Sequence, residues 1–210
     1  FADGQWFHVT GITPAISSQA AEATVAAVRA AKQAGLTVSC DLNFRAKLWQ
    51  WEPETSKRDL AKRVMSEVLT SVDVLIANEE DCGDVLGIRG EHSDVHSGKL
   101  DIASYPDVAK QVVAEFPNIG IVATTLRESL SASHNNWGAM LYAAQSETAI
   151  FAPRRSNDYA PYEIRNIVDR VGGGDSFAAG LIYALTSTDY PSLEEALDFA
   201  VAASCLAHSI

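Results

Sequence analysis

Cysteine is scarce in this sequence: Cys40, Cys82 and Cys205 are the only three among 210 residues, far apart and never in a CxxC pair. That argues against a disulfide framework or a cysteine-built zinc site, and it suits a reduced, cytoplasmic setting. Positive charge is scarce too. Sixteen Lys and Arg face 27 Asp and Glu, giving a net charge of −11 and a pI near 4.8. A general nucleic-acid binder needs a basic surface to neutralise phosphates, and this chain does not supply one. No apolar run approaches the roughly 18 residues of a membrane span, and no basic segment leads into an apolar stretch at the N-terminus. The fingerprints GxGxxG and GxxxxGK[ST], the protein-kinase set HRD, DFG and VAIK, and a GxSxG elbow are all absent. What is present is 47% hydrophobic and 20% charged composition, enough for one domain, or a large part of one, with a sizeable core.

The first half alternates strand and helix. Residues 6–12 (WFHVTGI) read as a buried strand. Ser17 or Ser18 then caps a helix running to Ala34 and closed by Gly35. Residues 36–42 (LTVSCDL) form a second strand, 57–71 an amphipathic helix and 73–77 (DVLIA) a third strand. A short acidic helix starts at Asn78, and the polar stretch 87–104 reads as an exposed loop. A helix over 106–116 leads to a fourth strand at 119–125. The rhythm then changes: 137–144, 147–152 and 162–168 read as successive antiparallel strands, and helices at 175–186 and 193–208 end the chain. The expectation is one α/β domain over 1–210, its mostly parallel sheet covered on both faces and carrying an antiparallel extension. Phe1 opens the chain without a methionine, and Ile210 ends it at an uncapped helix. We therefore read it as a segment of a longer protein.

In such sheets ligands bind beyond the carboxyl ends of the strands. The richest segment there is DRVGGGDSFAAGL, 169–181. Three glycines before an acidic residue and a helix can expose backbone N–H groups where the helix dipole adds positive charge, which suits a phosphate. An aspartate at that place, Asp175, can take a proton from a hydroxyl lying against the phosphate. The plainer reading is a glycine turn with Asp175 as the N-cap. In DLNFRAKLW, Arg45 and Lys47 follow a strand end in an acidic chain, where a carboxylated ligand could meet a bidentate Arg. They could equally solvate a loop packed on Trp49 and Trp51. NEED, 78–81, offers oxygen ligands of the kind magnesium takes, or simply an acidic first helical turn. His92 and His96 bracket Asp94 at helical spacing, but their glycine- and serine-rich surroundings favour a loop. His8 reads as a core residue within its strand.

DRVGGGDSFAAGL resembles the second signature of the ribokinase-like (pfkB) sugar kinases, and WFHVTGITPAIS, DLNFRAKLW, NEED and TTLRES, which precede it in that order, resemble the 2-keto-3-deoxygluconate kinase branch of that family. The resemblance implies a ribokinase-like fold and ATP-dependent phosphorylation of a sugar acid at its terminal hydroxyl. It also implies magnesium and gives Asp175 as general base. Gly172, Gly173 and Gly174 become the anion hole, with Gly172 and Gly174 also touching ATP. Arg45 becomes the preferred contact to the sugar acid and Asn43 a secondary one, while Gly11 and Ile12 line the same pocket. Thr125 and Arg127, placed after the fourth strand, face the nucleotide, and Ala203 lies near the base. Asn78 and Asp81 stand where the family has an asparagine and a glutamate for the metal, with Glu79 or Glu80 as substitutes. Arg170 and Gly173 replace the family's commoner threonine and alanine, a change that this branch tolerates. The family's first glycine signature and β lid belong to an N-terminal part outside these residues, so the 210 residues alone are expected to lack activity. The expected partners are a small sugar acid and ATP, with neither nucleic acid nor membrane. A neutral-sugar kinase and a non-catalytic nucleotide- or sugar-binding module remain the rival readings. Monovalent-cation need, self-association and epimer preference stay open.

Overall fold

The computed structural model describes residues 3–78, 80–90, 102–131, 133–156 and 158–209. His92 and His96 lie outside them. The chain opens with β1 (Trp6–Thr10), a one-turn helix α1 (Ile12–Ala15) and α2 (Ser18–Gln33). There follow β2 (Thr37–Asp41), α3 (Lys57–Leu69), β3 (Val74–Ala77) and α4 (Tyr105–Glu115). Next come β4 (Ile121–Ser131), β5 (His134–Ala143), β6 (Thr148–Ala152), the two-residue strands β7 (Arg154–Arg155) and β8 (Asp158–Tyr159), and β9 (Tyr162–Arg165). Two helices, α5 (Gly173–Thr186) and α6 (Leu193–Ala207), end it.

Helix starts follow local chemistry. Ser17 accepts the N–H of Ala20, and Ser56 that of Asp59. Ser192 and Glu195 form a reciprocal capping box at α6, each such cap contributing about 1 kcal/mol. Gly35 stops α2 at φ 82°, a conformation that costs glycine nothing. The first strand is shorter than its apolar run suggests. It stops at Thr10, and Gly11 turns the chain into α1, so Ile12 is helical rather than extended.

The main sheet has the order β1-β2-β3-β4-β5-β6, with β9 also paired to β5. Strands β1 to β4 are parallel, and β4, β5, β6 and β9 pair antiparallel. The mixed α/β architecture expected from the strand–helix rhythm is therefore what the chain adopts. Val38, Cys40, Leu75 and Val122 point to the face covered by α2, α3 and α4, where Val28, Leu60, Val68 and Val112 are sealed from solvent. Ile76, Ala123, Ala139 and Leu141 point to the other face, under Phe177, Leu181, Leu197 and Val201 of α5 and α6. Fully burying each large side chain stabilises by roughly 1.5–3 kcal/mol. The α5–α6 pair covers β3 to β6. On that same face β1 and β2 carry Trp6, His8, Thr10, Ser39 and Asp41, a polar surface.

Candidate active site

Parallel register sets Thr10, Asp41 and Ile76 side by side at the carboxyl ends of their strands. Gly11 follows, donating its N–H to the Asp41 carbonyl at 2.8 Å. A Cβ at Gly11 would lie 2.0 Å from the Leu42 carbonyl oxygen. Glycine is required there by the close approach of the Leu42 backbone. Gly11→Ala should cost at least about 1–3 kcal/mol in denaturant melts, the usual penalty for overpacking; an unchanged midpoint would show that the β1–β2 edge can spread freely.

The DLNFRAKLW loop is fixed by its own polar groups. Asn43 sits at φ 36°, donates its N–H to Asp41 Oδ1 at 3.2 Å, and reaches Thr10 Oγ1 through Nδ2 at 3.4 Å. Asp81 is buried and uses both carboxylate oxygens on backbone: Oδ1 accepts the N–H of Phe44 and Oδ2 that of Asn78, each at 3.1 Å. Asn78 Oδ1 in turn accepts the N–H groups of Glu80 and Asp81. This clamp ties the end of β3 to the loop carrying Arg45. Arg45 and Lys47 are exposed. Among the described residues the Arg45 guanidinium hydrogen-bonds its neighbouring carbonyl, Phe44 O at 3.1 Å, and makes no ion pair within contact distance. Trp49 is buried beneath the loop.

Charge is concentrated at this edge. Burial first, then the Asp81 and Asp175 carboxylates, push the Asp41 carboxyl up to about 7, against the Asn43 N–H hydrogen bond and the weaker pull of Arg45. Asp81 is also raised by burial, opposed by its two backbone hydrogen bonds. His8 pairs through Nδ1 with Ser39 Oγ at 2.7 Å, and Ser39 also accepts Trp6 Nε1–H at 2.8 Å. Desolvation lowers the His8 pKa while the Asp175 charge works the other way. Asp175 therefore lies close enough to act on both His8 and Asp41, although more than 130 residues separate it from either in sequence.

At the start of α5, Gly172 is the N-cap at φ 83°, a left-handed conformation suited to glycine. Asp175 is thus the third helical residue and not the cap, which corrects the plainer reading of its role. Its exposed carboxylate makes no hydrogen bond or ion pair among the described residues. Ser176 is the first α5 residue to find a helical partner, Gly172 O at 2.7 Å. The N–H groups of Gly173, Gly174 and Asp175, in the first turn of the helix, have no helical acceptor. Gly174 is exposed and a Cβ there would meet nothing. Arg170 donates to Ser131 O at 2.9 Å, tying the approach to the glycine turn onto the β4–β5 hairpin.

The remaining expected residues fall differently. Thr125 and Arg127 lie inside β4, opposite Ala139 and Trp137, rather than beyond its end. The strand runs on to Ser131 because β5 pairs with it along this length, a partner that a parallel strand pattern does not reveal. Thr125 is buried, with Oγ1 3.5 Å from Ala77 O, whereas Arg127 is exposed. Ala203 is half-buried against α5, where a Cβ at Gly180 would approach it at 3.3 Å. No group of three His, Cys, Asp or Glu able to hold a metal occurs among the described residues. With the oxygens of Asn78 and Asp81 already engaged by backbone N–H, the geometry supports a structural clamp and does not carry a direct magnesium site. No helix among the described residues is long and apolar enough to cross a membrane.

Residues 140–209 match the profile of the pfkB family carbohydrate kinases. Over 208 residues the chain is 27% identical to a 2-dehydro-3-deoxygalactonokinase of Haloferax volcanii, covering 99% of this chain and 52% of that protein. It is 30% identical over 209 residues to a fructokinase of Klebsiella pneumoniae, covering 98% and 54%. The crystal structure of a 2-dehydro-3-deoxygluconokinase from Thermotoga maritima superposes with TM-score 0.80 at 40% identity, over 99% of this chain and 55% of the other. The chain thus spans about half the length of these relatives. The glycine turn and Asp175 lie inside the stretch that matches the pfkB family carbohydrate kinases, and the fold is shared with the Thermotoga maritima protein along the whole of this chain's matched length.

Proposed function

We propose that this chain carries the phosphoryl-transfer site of an ATP-dependent kinase acting on the terminal hydroxyl of 2-keto-3-deoxygluconate. The observation that carries the reading is the start of α5: a carboxylate without partners, beside backbone N–H groups without partners, at the positive end of a 14-residue helix. Asp175 takes the hydroxyl proton as the oxygen attacks the γ-phosphorus of MgATP in line, while the bond from that phosphorus to the β–γ bridging oxygen breaks and MgADP leaves. The N–H groups from the glycine turn stabilise the charge on the transferred group. Chemistry of this kind rests on positioning and electrostatics more than on covalent help. The metal belongs to the nucleotide substrate here, and no step is assigned to Asn78 or Asp81 as its ligands.

Arg45 supports the acid as substrate. Its guanidinium is exposed, free of ion pairs, and held by the Asp81 clamp at the same edge as Asp41 and Asn43. A planar fork so placed grips a carboxylate bidentately, whereas a neutral sugar leaves it idle. Arg127, on the exposed face of β4, and Ala203 are assigned to the nucleotide side on the family resemblance alone.

The test is a coupled ATPase assay on the full-length protein across sugar acids and neutral sugars. Arg45→Ala should weaken the sugar acid by about 1.5–3 kcal/mol, roughly 10- to 150-fold in its KM, with ATP little changed. Preference for fructose or ribose, unaffected by Arg45, would favour the neutral-sugar reading to which the fructokinase relative points. Binding without turnover would leave a recognition module.

A further inference from the structure

His208 lies at the end of α6, 33 residues beyond Asp175, and is 3% exposed. Its Nδ1 is 2.7 Å from Ser204 O. A carbonyl only accepts, so Nδ1 carries the hydrogen in this contact. Trp137 of β5 packs on the ring at a centroid distance of 4.9 Å and donates its Nε1–H to Ser204 Oγ at 2.6 Å. The His208 carbonyl accepts the Val168 N–H at 2.9 Å, in the segment that feeds the glycine turn. The ring is thus held from two sides, and its other edge meets Gly173. A Cβ at Gly173 would fall 2.7 Å from His208 Cε1 and 2.9 Å from Nε2.

Gly173 needs no left-handed backbone, unlike Gly172. Alanine is the better helix former, so backbone preference alone favours Ala at 173. What forbids it is the imidazole. We propose that His208 is a positioning residue for the phosphoryl-transfer turn, its ring forming the floor that sets the direction of the N–H groups from Gly173 to Asp175. The proposal rests on the kinase reading above and adds to it a residue that touches neither sugar nor nucleotide. Trp137, Ser204 and the α6 terminus are the bracket that holds the floor in place.

The test is a double-mutant cycle in the full-length protein. Gly173→Ala should lower kcat about 100-fold, the scale of a misplacement near 1 Å, with the KM for sugar little changed. His208→Ala should lower kcat about 10-fold. The pair G173A/H208A should then be no worse than H208A alone, because the new methyl enters the space the ring has left. Independent effects would multiply to about 1000-fold and would overturn the proposal, as would a harmless Gly173→Ala. Hydrogen exchange supplies an arm that does not need turnover. His208→Ala should speed exchange at Ser176 and Phe177, the first hydrogen-bonded amides of α5, while Val122 and Leu141 in the sheet stay protected. A uniform rise across the sheet would make His208 an ordinary core residue and refute the assignment. If the wild-type protein phosphorylates no sugar or sugar acid, the kinase reading falls, and the exchange arm still decides whether His208 holds the turn.

Discussion

Asp175→Asn in the full-length protein is expected to bind ATP normally and to turn over roughly 10²–10⁴-fold more slowly, the range for loss of a general base. Asparagine keeps the shape and the place in the first turn of α5 but cannot take a proton. Gly172 is the helix cap, so the substitution leaves the cap untouched and should hardly move the melting temperature. That separates the two roles an aspartate at a helix start can have. If Asp175 stabilised the helix through the macrodipole alone, the variant would lose about 0.3–1 kcal/mol of stability and keep its rate. Measuring kcat, ATP affinity and Tm on one preparation decides between them. Near-normal turnover would remove the observation on which the proposed function rests.

The alternation of apolar runs with capped helices was enough to read the order of elements, because each is set locally. Ser17, Gly35, Ser56 and the Ser192–Glu195 box all act within four residues of the helix end they define. The glycine turn was legible for the same reason. Long-range features were not. The extension of β4 through Arg127 depends on β5, and one of the two backbone N–H groups that Asp81 engages comes from Phe44, 37 residues away. Asp41 carries no signal of its own: an aspartate at a strand end is a common turn residue, and only the parallel register and the approach of α5 place it among other carboxylates. His208 is quieter still. Its spacing from Gly173 in sequence says nothing, and the clue lay in the glycine, which occupies a helical position where alanine is the better choice.

Asp41 leads to the second large effect, a stability that depends on pH. An ordinary aspartate in the unfolded chain titrates near 4, whereas burial and the Asp81 charge push Asp41 up to about 7 in the folded protein. Below about pH 4 both states hold the proton and the group is neutral to folding. Between about 4 and 7 the folded state keeps a proton that the unfolded chain releases, so stability falls as pH rises; above 7 the loss is complete. At about 1.4 kcal/mol per unit the full shift corresponds to about 4 kcal/mol, and partial exposure of the carboxyl trims this to about 2–4. Asp41→Asn removes the charge and retains an oxygen for the Asn43 N–H. The variant should melt with the wild type near pH 4 and progressively above it toward pH 8, whatever becomes of its activity. Taking the difference between the two proteins cancels the titrating groups that do not interact with Asp41, leaving Asp41 and the carboxylates coupled to it. A difference in Tm that stays flat from pH 4 to 8 would mean that Asp41 ionises like a surface carboxylate. The cluster of like charges at the strand ends would then have to be relieved by solvent or by Arg45 rather than by a held proton.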